Sequence, residues 1–252
     1  MTSPDPLAPL RERPQQAGAF FDFDGTLSAI VVEANRAEPL PGAADALQDL
    51  TRRYRRVGVV SGRPAAYLVQ HLGGRGLALS GLYGLEHVGP DDTITVDDDV
   101  ERWRPVVREA ADRAEAEGWP PHRVERKGLS VTLHYRGETD REPAARAWAE
   151  AEAARTGLKL LRARMSYELQ PPVDADKGTA LAALARGLDV VCFVGDDLGD
   201  LPAFDALDRM AADGTTVVRV AVGSDEAPRE LLARADMVVD GPAGALEVLR
   251  SL

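Results

Sequence analysis

Two apolar rhythms alternate along the chain. Val57-Gly58-Val59-Val60 and Val190-Val191-Cys192-Phe193-Val194 are short, nearly unbroken apolar runs. Such runs suit strands buried on both faces. Between them, apolar residues recur at helical spacing. Ala43, Ala46, Leu47, Leu50 and Tyr54 mark one face of an amphipathic helix. A second helix is expected through Tyr67 to Leu72, with Pro64 placed at its first turn. Leu77 to Ser80 reads as another strand. Strand, helix and strand in this order predict a parallel sheet with helices on its faces.

The rhythm changes near His87. Leu85 to Val88 and Thr93 to Val96 read as short extended stretches joined by a turn at Gly89-Pro90-Asp91-Asp92. A helix follows from Trp103 to Glu117, then strands at Arg123 to Glu125 and Ser130 to Tyr135. The second of these alternates Val131, Leu133 and Tyr135 against Thr132, His134 and Arg136, as a strand with one buried face must. A helix over Glu142 to Arg155 and strands at Leu158 to Leu161 and Tyr167 to Leu169 complete an α+β insert, residues 87–172. The first rhythm resumes at Asp176-Lys177-Gly178-Thr179 and continues to a closing helix from Ala243 to Leu252. The predicted core is therefore residues 19–86 and 173–252. Residues 1–18, with several prolines and charges, are expected to form a flexible leader.

Composition narrows the function. Across 252 residues, 30 basic and 41 acidic side chains leave a net charge of -11. That balance argues against nucleic acid, whose phosphates call for basic surface. Cys192 is the only cysteine, so no internal disulfide can form, and its apolar neighbours predict a buried side chain and not a nucleophile. No apolar run approaches the roughly 20 residues of a membrane helix. Residues 1–18 lack the apolar stretch of a signal peptide. A monomeric cytoplasmic protein without membrane contact is expected.

Three expected strand ends carry polar residues: Asp22 and Asp24; Ser61 and Arg63; Asp196, Asp197 and Asp200. In open parallel sheets, ligands bind outside the carboxyl ends of the strands, so the three ends can converge. Lys177, at the start of a helix, can reach the same place. Residues two apart on a strand share a face, so Asp22 and Asp24 crowd one another. They then need a cation, a proton, or both. Oxygen ligands at Asp22 and Asp196 suit Mg²⁺. A carboxylate can attack phosphorus once metal and Lys177 have neutralised charge, and Ser61 can hold phosphoryl oxygens. Asp24 can supply and withdraw a proton.

Asp22-Phe23-Asp24-Gly25-Thr26, Ser61-Gly62-Arg63, Lys177 and Gly195-Asp196-Asp197 resemble the four motifs of the haloacid dehalogenase superfamily. The resemblance implies an α/β fold with a Rossmann-like core and an α/β cap of C2 type inserted between the second and third motifs. It also implies Mg²⁺ and an aspartyl-phosphate. Asp22 would be the nucleophile, Asp24 the general acid/base, and Ser61 and Lys177 phosphoryl ligands. Asp22, the Asp24 carbonyl and Asp196 would hold the metal, with Asp197 and Asp200 in support. Arg63 would also face the substrate. Within the insert, the segment Glu125 to Arg136 is similar to that of trehalose-6-phosphate phosphatases. So are Gly81 to Glu86, Glu101-Arg102-Trp103, and Tyr167 to Pro172 followed by Asp176-Lys177-Gly178. By that resemblance Glu125, Lys127 and Glu168 would hold the sugar of trehalose 6-phosphate. The fourth motif departs from the family, with Gly199 in place of threonine and Leu201 in place of glutamate. Rival expectations are a phosphatase of sucrose phosphate or mannosyl-3-phosphoglycerate, a catalytically silent sugar-phosphate sensor, and an interaction domain.

Overall fold

A computed structural model describes residues 5–31, 36–89, 91–163, 165–225 and 227–252. The first four residues of the expected leader, and Pro90 in the expected turn, lie outside the described residues. The chain forms two compact units, Met1–Thr95 with Ala175–Leu252, and Val96–Asp174.

The larger unit begins with a helix, α1 (Ala8–Glu12), where a mobile leader was expected. Leu7 and Leu10 lie three apart and so share one side of the helical turn, and both are buried in the core. Burying a leucine contributes roughly 1.5–3 kcal/mol, which ties the segment down. β1 (Ala17–Phe21), α2 (Ala43–Thr51), β2 (Arg56–Val60), α3 (Ala65–Leu72) and β3 (Leu77–Gly81) follow in the expected rhythm. β4 (Glu86–Val88) then pairs antiparallel with β3, and β5 (Ile94–Thr95) antiparallel with β4, extending the same sheet. They had been expected in the insert, but Ser80 pairs with His87 and Gly81 with Glu86, and this hairpin completes the core sheet's edge.

The smaller unit contains α4 (Asp98–Glu101), α5 (Arg104–Ala116), β6 (Val124–Arg126), β7 (Val131–His134), α6 (Glu142–Thr156), β8 (Lys159–Ala163) and β9 (Ser166–Gln170). Its strands form an antiparallel sheet in the order β6-β7-β9-β8. Val131, Leu133, Tyr135, Tyr167 and Leu169 pack with Val107, Ala110, Ala145 and Ala149 of α5 and α6 into a separate core. The alternation predicted across Ser130 to Tyr135 is therefore the division between this core and a polar face.

The larger unit closes with α7 (Lys177–Leu184), β10 (Val190–Gly195), α8 (Leu201–Ala212), β11 (Thr216–Gly223), α9 (Arg229–Arg234), β12 (Met237–Asp240) and α10 (Gly241–Ser251). Its sheet order is β12-β11-β10-β1-β2-β3-β4-β5, parallel from β12 to β3. β1 lies between β10 and β2, which places three carboxyl ends side by side at the point where the strand order reverses. Among the described residues, no helix is long and apolar enough to cross a membrane.

Candidate active site

Asp22 follows β1 directly, and its backbone N–H continues the ladder to the carbonyl of Val194 at 2.9 Å. Phe23 is buried, which anchors the turn between the two acids. Asp196 follows β10 in the neighbouring strand. The approach between them depends on Gly25. Its φ is +82°, a region that favours glycine, and a Cβ there would lie 2.2 Å from Asp196 Oδ2. Thr26 Oγ1 also points at Asp196, donating to Oδ1 at 3.5 Å.

Lys177 begins α7 and carries its ammonium into this group. Nζ lies 2.7 Å from Asp22 Oδ1 and 2.7 Å from Asp200 Oδ1. The other oxygen of Asp200 accepts from the backbone N–H groups of Asp196 at 2.8 Å and Asp197 at 3.0 Å. Asp200 therefore fastens the loop after β10 to the lysine. Gly195 gives it room, because a Cβ there would fall 2.4 Å from the Asp200 carboxyl carbon.

Charge in this group is unbalanced. Asp22, Asp196, Asp200 and Lys177 are all buried, so three acids face one ammonium. Burial pushes the Asp22 carboxyl well above the ordinary carboxylate range; Lys177 opposes that rise, while Asp200 and Asp196 add to it. Asp200 is raised in the same way, chiefly by burial. Burial also works against the Lys177 charge, yet Asp200 and Asp22 outweigh it and raise the ammonium well above its usual value. One oxygen from each of Asp22, Asp196 and Asp200 lies within 4.8 Å of the others. This hard, anion-rich donor set fits a divalent cation, which would cancel the excess charge.

Two expected residues are occupied elsewhere. Arg63 was expected to face substrate; its guanidinium instead grips Asp24 with two bonds, Nε to Oδ2 at 2.7 Å and Nη2 to Oδ1 at 2.6 Å. It also lies over the Tyr67 ring at 4.9 Å. Asp24 thus uses both arms of the guanidinium fork. Asp197 was expected beside the metal. Its carboxylate caps the following turn, where Oδ1 accepts from Gly199 N–H at 2.8 Å, and it stands outside the acid group. Gly199 contributes only its backbone N–H to this turn.

Ser61 follows β2, the strand next to β1, and is buried. Its Oγ accepts from Arg63 N–H at 3.2 Å, and its own N–H donates to Ser80 at 3.0 Å. Glu86 had not been singled out for a role. Its Oε2 accepts from Ala65 N–H at 2.6 Å, the first residue of the helix behind Ser61. The sequence signal is weak, because the contact joins residues 21 apart with no local pattern.

The smaller unit gathers its own expected residues. Lys127 Nζ lies 3.1 Å from Glu168 Oε2 and 3.8 Å from Glu125 Oε2. Ser130 donates to the other oxygen of Glu168. His134 Nε2 meets Glu125 Oε2 at 2.8 Å. His134 had been read only as part of the polar side of the alternation.

The trehalose-phosphatase family model matches residues 20–235. The chain is 34% identical over 219 residues to the trehalose-phosphate phosphatase of Mycobacterium leprae (strain TN), a match covering 81% of this chain and 51% of that protein. The chain thus spans about half the length of that curated relative. Its fold resembles a trehalose-6-phosphate phosphatase related protein, with a TM-score of 0.77 at 23% identity, covering 93% of this chain and 96% of that one. It also resembles a haloacid dehalogenase-like hydrolase from Bacteroides thetaiotaomicron, with a TM-score of 0.65 at 16% identity, covering 94% and 99%. With these matches and the Asp22–Lys177–Asp196–Asp200 group together, the chain belongs to the trehalose-phosphatase family.

Proposed function

We propose that this chain hydrolyses trehalose 6-phosphate to trehalose and inorganic phosphate. The observation that carries the reading is the ammonium of Lys177 set between Asp22 and Asp200 at the ends of adjacent parallel strands, in a chain of this family. Asp22 attacks phosphorus and forms an aspartyl-phosphate while the sugar oxygen leaves. Asp24 delivers a proton to that oxygen and then takes one from the attacking water. Arg63 orients Asp24 between these steps. Ser61 and Lys177 hold the phosphoryl oxygens, and Asp200 aims Lys177. Mg²⁺ would be held by Asp22, the Asp24 carbonyl and Asp196, with Asp197 and Asp200 supporting the loop, and would supply positive charge beside the phosphoryl group. Glu125, Lys127 and Glu168 read the sugar hydroxyls. The protein acts as a monomer in the cytoplasm.

The test is phosphate release from a panel of sugar phosphates with Mg²⁺. Trehalose 6-phosphate is expected to be turned over fastest, and preference for sucrose phosphate or mannosyl-3-phosphoglycerate would overturn the substrate. Asp22→Asn is expected to lower turnover at least about 10³-fold while leaving the circular dichroism spectrum intact, the loss expected when covalent catalysis is removed. Surviving phosphate release would remove Asp22 as nucleophile.

A further inference from the structure

Among the described residues, two side chains of the smaller unit's sheet carry buried polar atoms that have no hydrogen-bonding partner. They are Thr132, through Oγ1, and Gln170, through both Nε2 and Oε1. Thr132 is 1% exposed and Gln170 0%. Buried polar atoms in folded proteins are nearly always paired, because leaving them unpaired forfeits their hydration with no return.

Their register gives the unpaired atoms a common address. Thr132 on β7 stands opposite Glu125 on β6 and Glu168 on β9. Directly paired residues share a face, so all three lie on one side of the sheet. Gln170 is two residues beyond Glu168 on β9 and lies on that side as well. The opposite side, with Val131, Leu133 and Leu169, packs against α5 and α6. Thr132 is a short side chain flanked on this face by two longer glutamates, Glu125 and Glu168, on the neighbouring strands. The charged residues of this face are tied to one another through Lys127, Ser130 and His134. The atoms left over are neutral ones.

We propose that Thr132 and Gln170 are specificity-determining residues that bind hydroxyls of the sugar, an inference that rests on the phosphatase reading above. A carboxamide with both ends unspent matches a vicinal diol: Oε1 accepts from one hydroxyl while Nε2 donates to its neighbour. Thr132 Oγ can do either. Neutral partners read hydroxyls without attracting the phosphate. A phosphate ester without vicinal hydroxyls would leave all three atoms unpaired, and a site built this way rejects such a ligand.

Thr132→Val and Gln170→Met keep shape and remove the polar atoms. Binding of trehalose 6-phosphate to these changes in an Asp22→Asn background is measured by calorimetry, and turnover of trehalose 6-phosphate and p-nitrophenyl phosphate in the active background. Each change is expected to weaken binding about 10-fold or more. The fall in kcat/KM on the sugar phosphate should exceed that on p-nitrophenyl phosphate by a similar factor. Thr132→Ser should restore most of the affinity, which a purely structural role would not require. Unchanged affinity, or equal losses on both substrates, overturns the inference and leaves the phosphatase reading standing. If the unaltered protein binds the sugar phosphate but does not cleave it, the phosphatase reading falls, and the calorimetry still decides the role of Thr132 and Gln170. Lowered unfolding midpoints with unchanged affinity would assign the two residues to internal structure and overturn the inference as well.

Discussion

Lys177 divides its ammonium between Asp22 and Asp200, and the cost of removing it can be worked out from burial alone. Losing one partner of a buried ion pair leaves the other charge without compensation and typically costs about 3–5 kcal/mol. Lys177→Met should therefore destabilise the chain by about that amount in urea titrations with a chelator present. Asp22→Asn removes one of the crowded acids, so the double change should cost less than the two single costs combined, by about 1 kcal/mol or more. Simple additivity would mean that the lysine does not compensate Asp22. Asp22, Lys177 and Asp196, which the fold brings together, could be singled out in the sequence because each is a chemically demanding residue at a strand end or helix start. The grip of Arg63 on Asp24 was not. It joins positions 39 apart, and two charged residues in separate loops carry no pattern that reveals their pairing. Nor does a run of acids show that Asp200 spends an oxygen on two amides while Asp197 caps a turn.

β10 was legible as a buried strand because its apolar run has no polar interruption. The same burial has a consequence for pH. Cys192 sits in mid-strand between β1 and β11, and burial pushes its thiol from 9.0 up to about 12. The folded thiol holds its proton where the unfolded one loses it. The stability this represents is complete below pH 9.0 and is lost as pH rises to about 12, about 4 kcal/mol in all. Cys192→Ala should flatten the alkaline slope of unfolding free energy by up to about 1.4 kcal/mol per pH unit in that window. Equal slopes in the two proteins would mean that the thiol ionises without unfolding. α1 escaped the sequence reading because its five residues are too few for a period to be visible, whereas β5 lies within the extended stretch expected at Thr93 to Val96 and only its sheet was not foreseen. Their placement follows from the partner surface: the core for Leu7 and Leu10, and the free edge of β3 for the β4–β5 hairpin.

At the scale of the whole molecule, the chain leaves the core after Thr95, builds a second core, and returns at Ala175. Each unit has its own apolar interior, so the two have separate sources of stability. The three tryptophans, Trp103, Trp119 and Trp148, all belong to the inserted unit, whereas Asp22, Asp196 and Asp200 belong to the core. This division makes the proposed metal site testable without any assay of activity. A cation that binds only the folded core stabilises it by RT ln(1 + [L]/Kd), about 2.7 kcal/mol at one hundred times Kd. Mg²⁺ should therefore slow hydrogen exchange in β1 and β10 through their global opening, and a chelator should reverse the effect. Tryptophan fluorescence, which follows the inserted unit, should shift its unfolding midpoint by less than half as much. In Asp196→Asn the effect on β1 and β10 should vanish, because the donor set loses one of its charged oxygens. If Mg²⁺ left exchange in β1 and β10 unchanged, Asp22 and Asp196 would not form a cation site. Equal shifts in both probes would mean that the two units unfold as one, so that stability gained at the acid group is shared with the sheet that carries Glu125, Lys127 and Glu168.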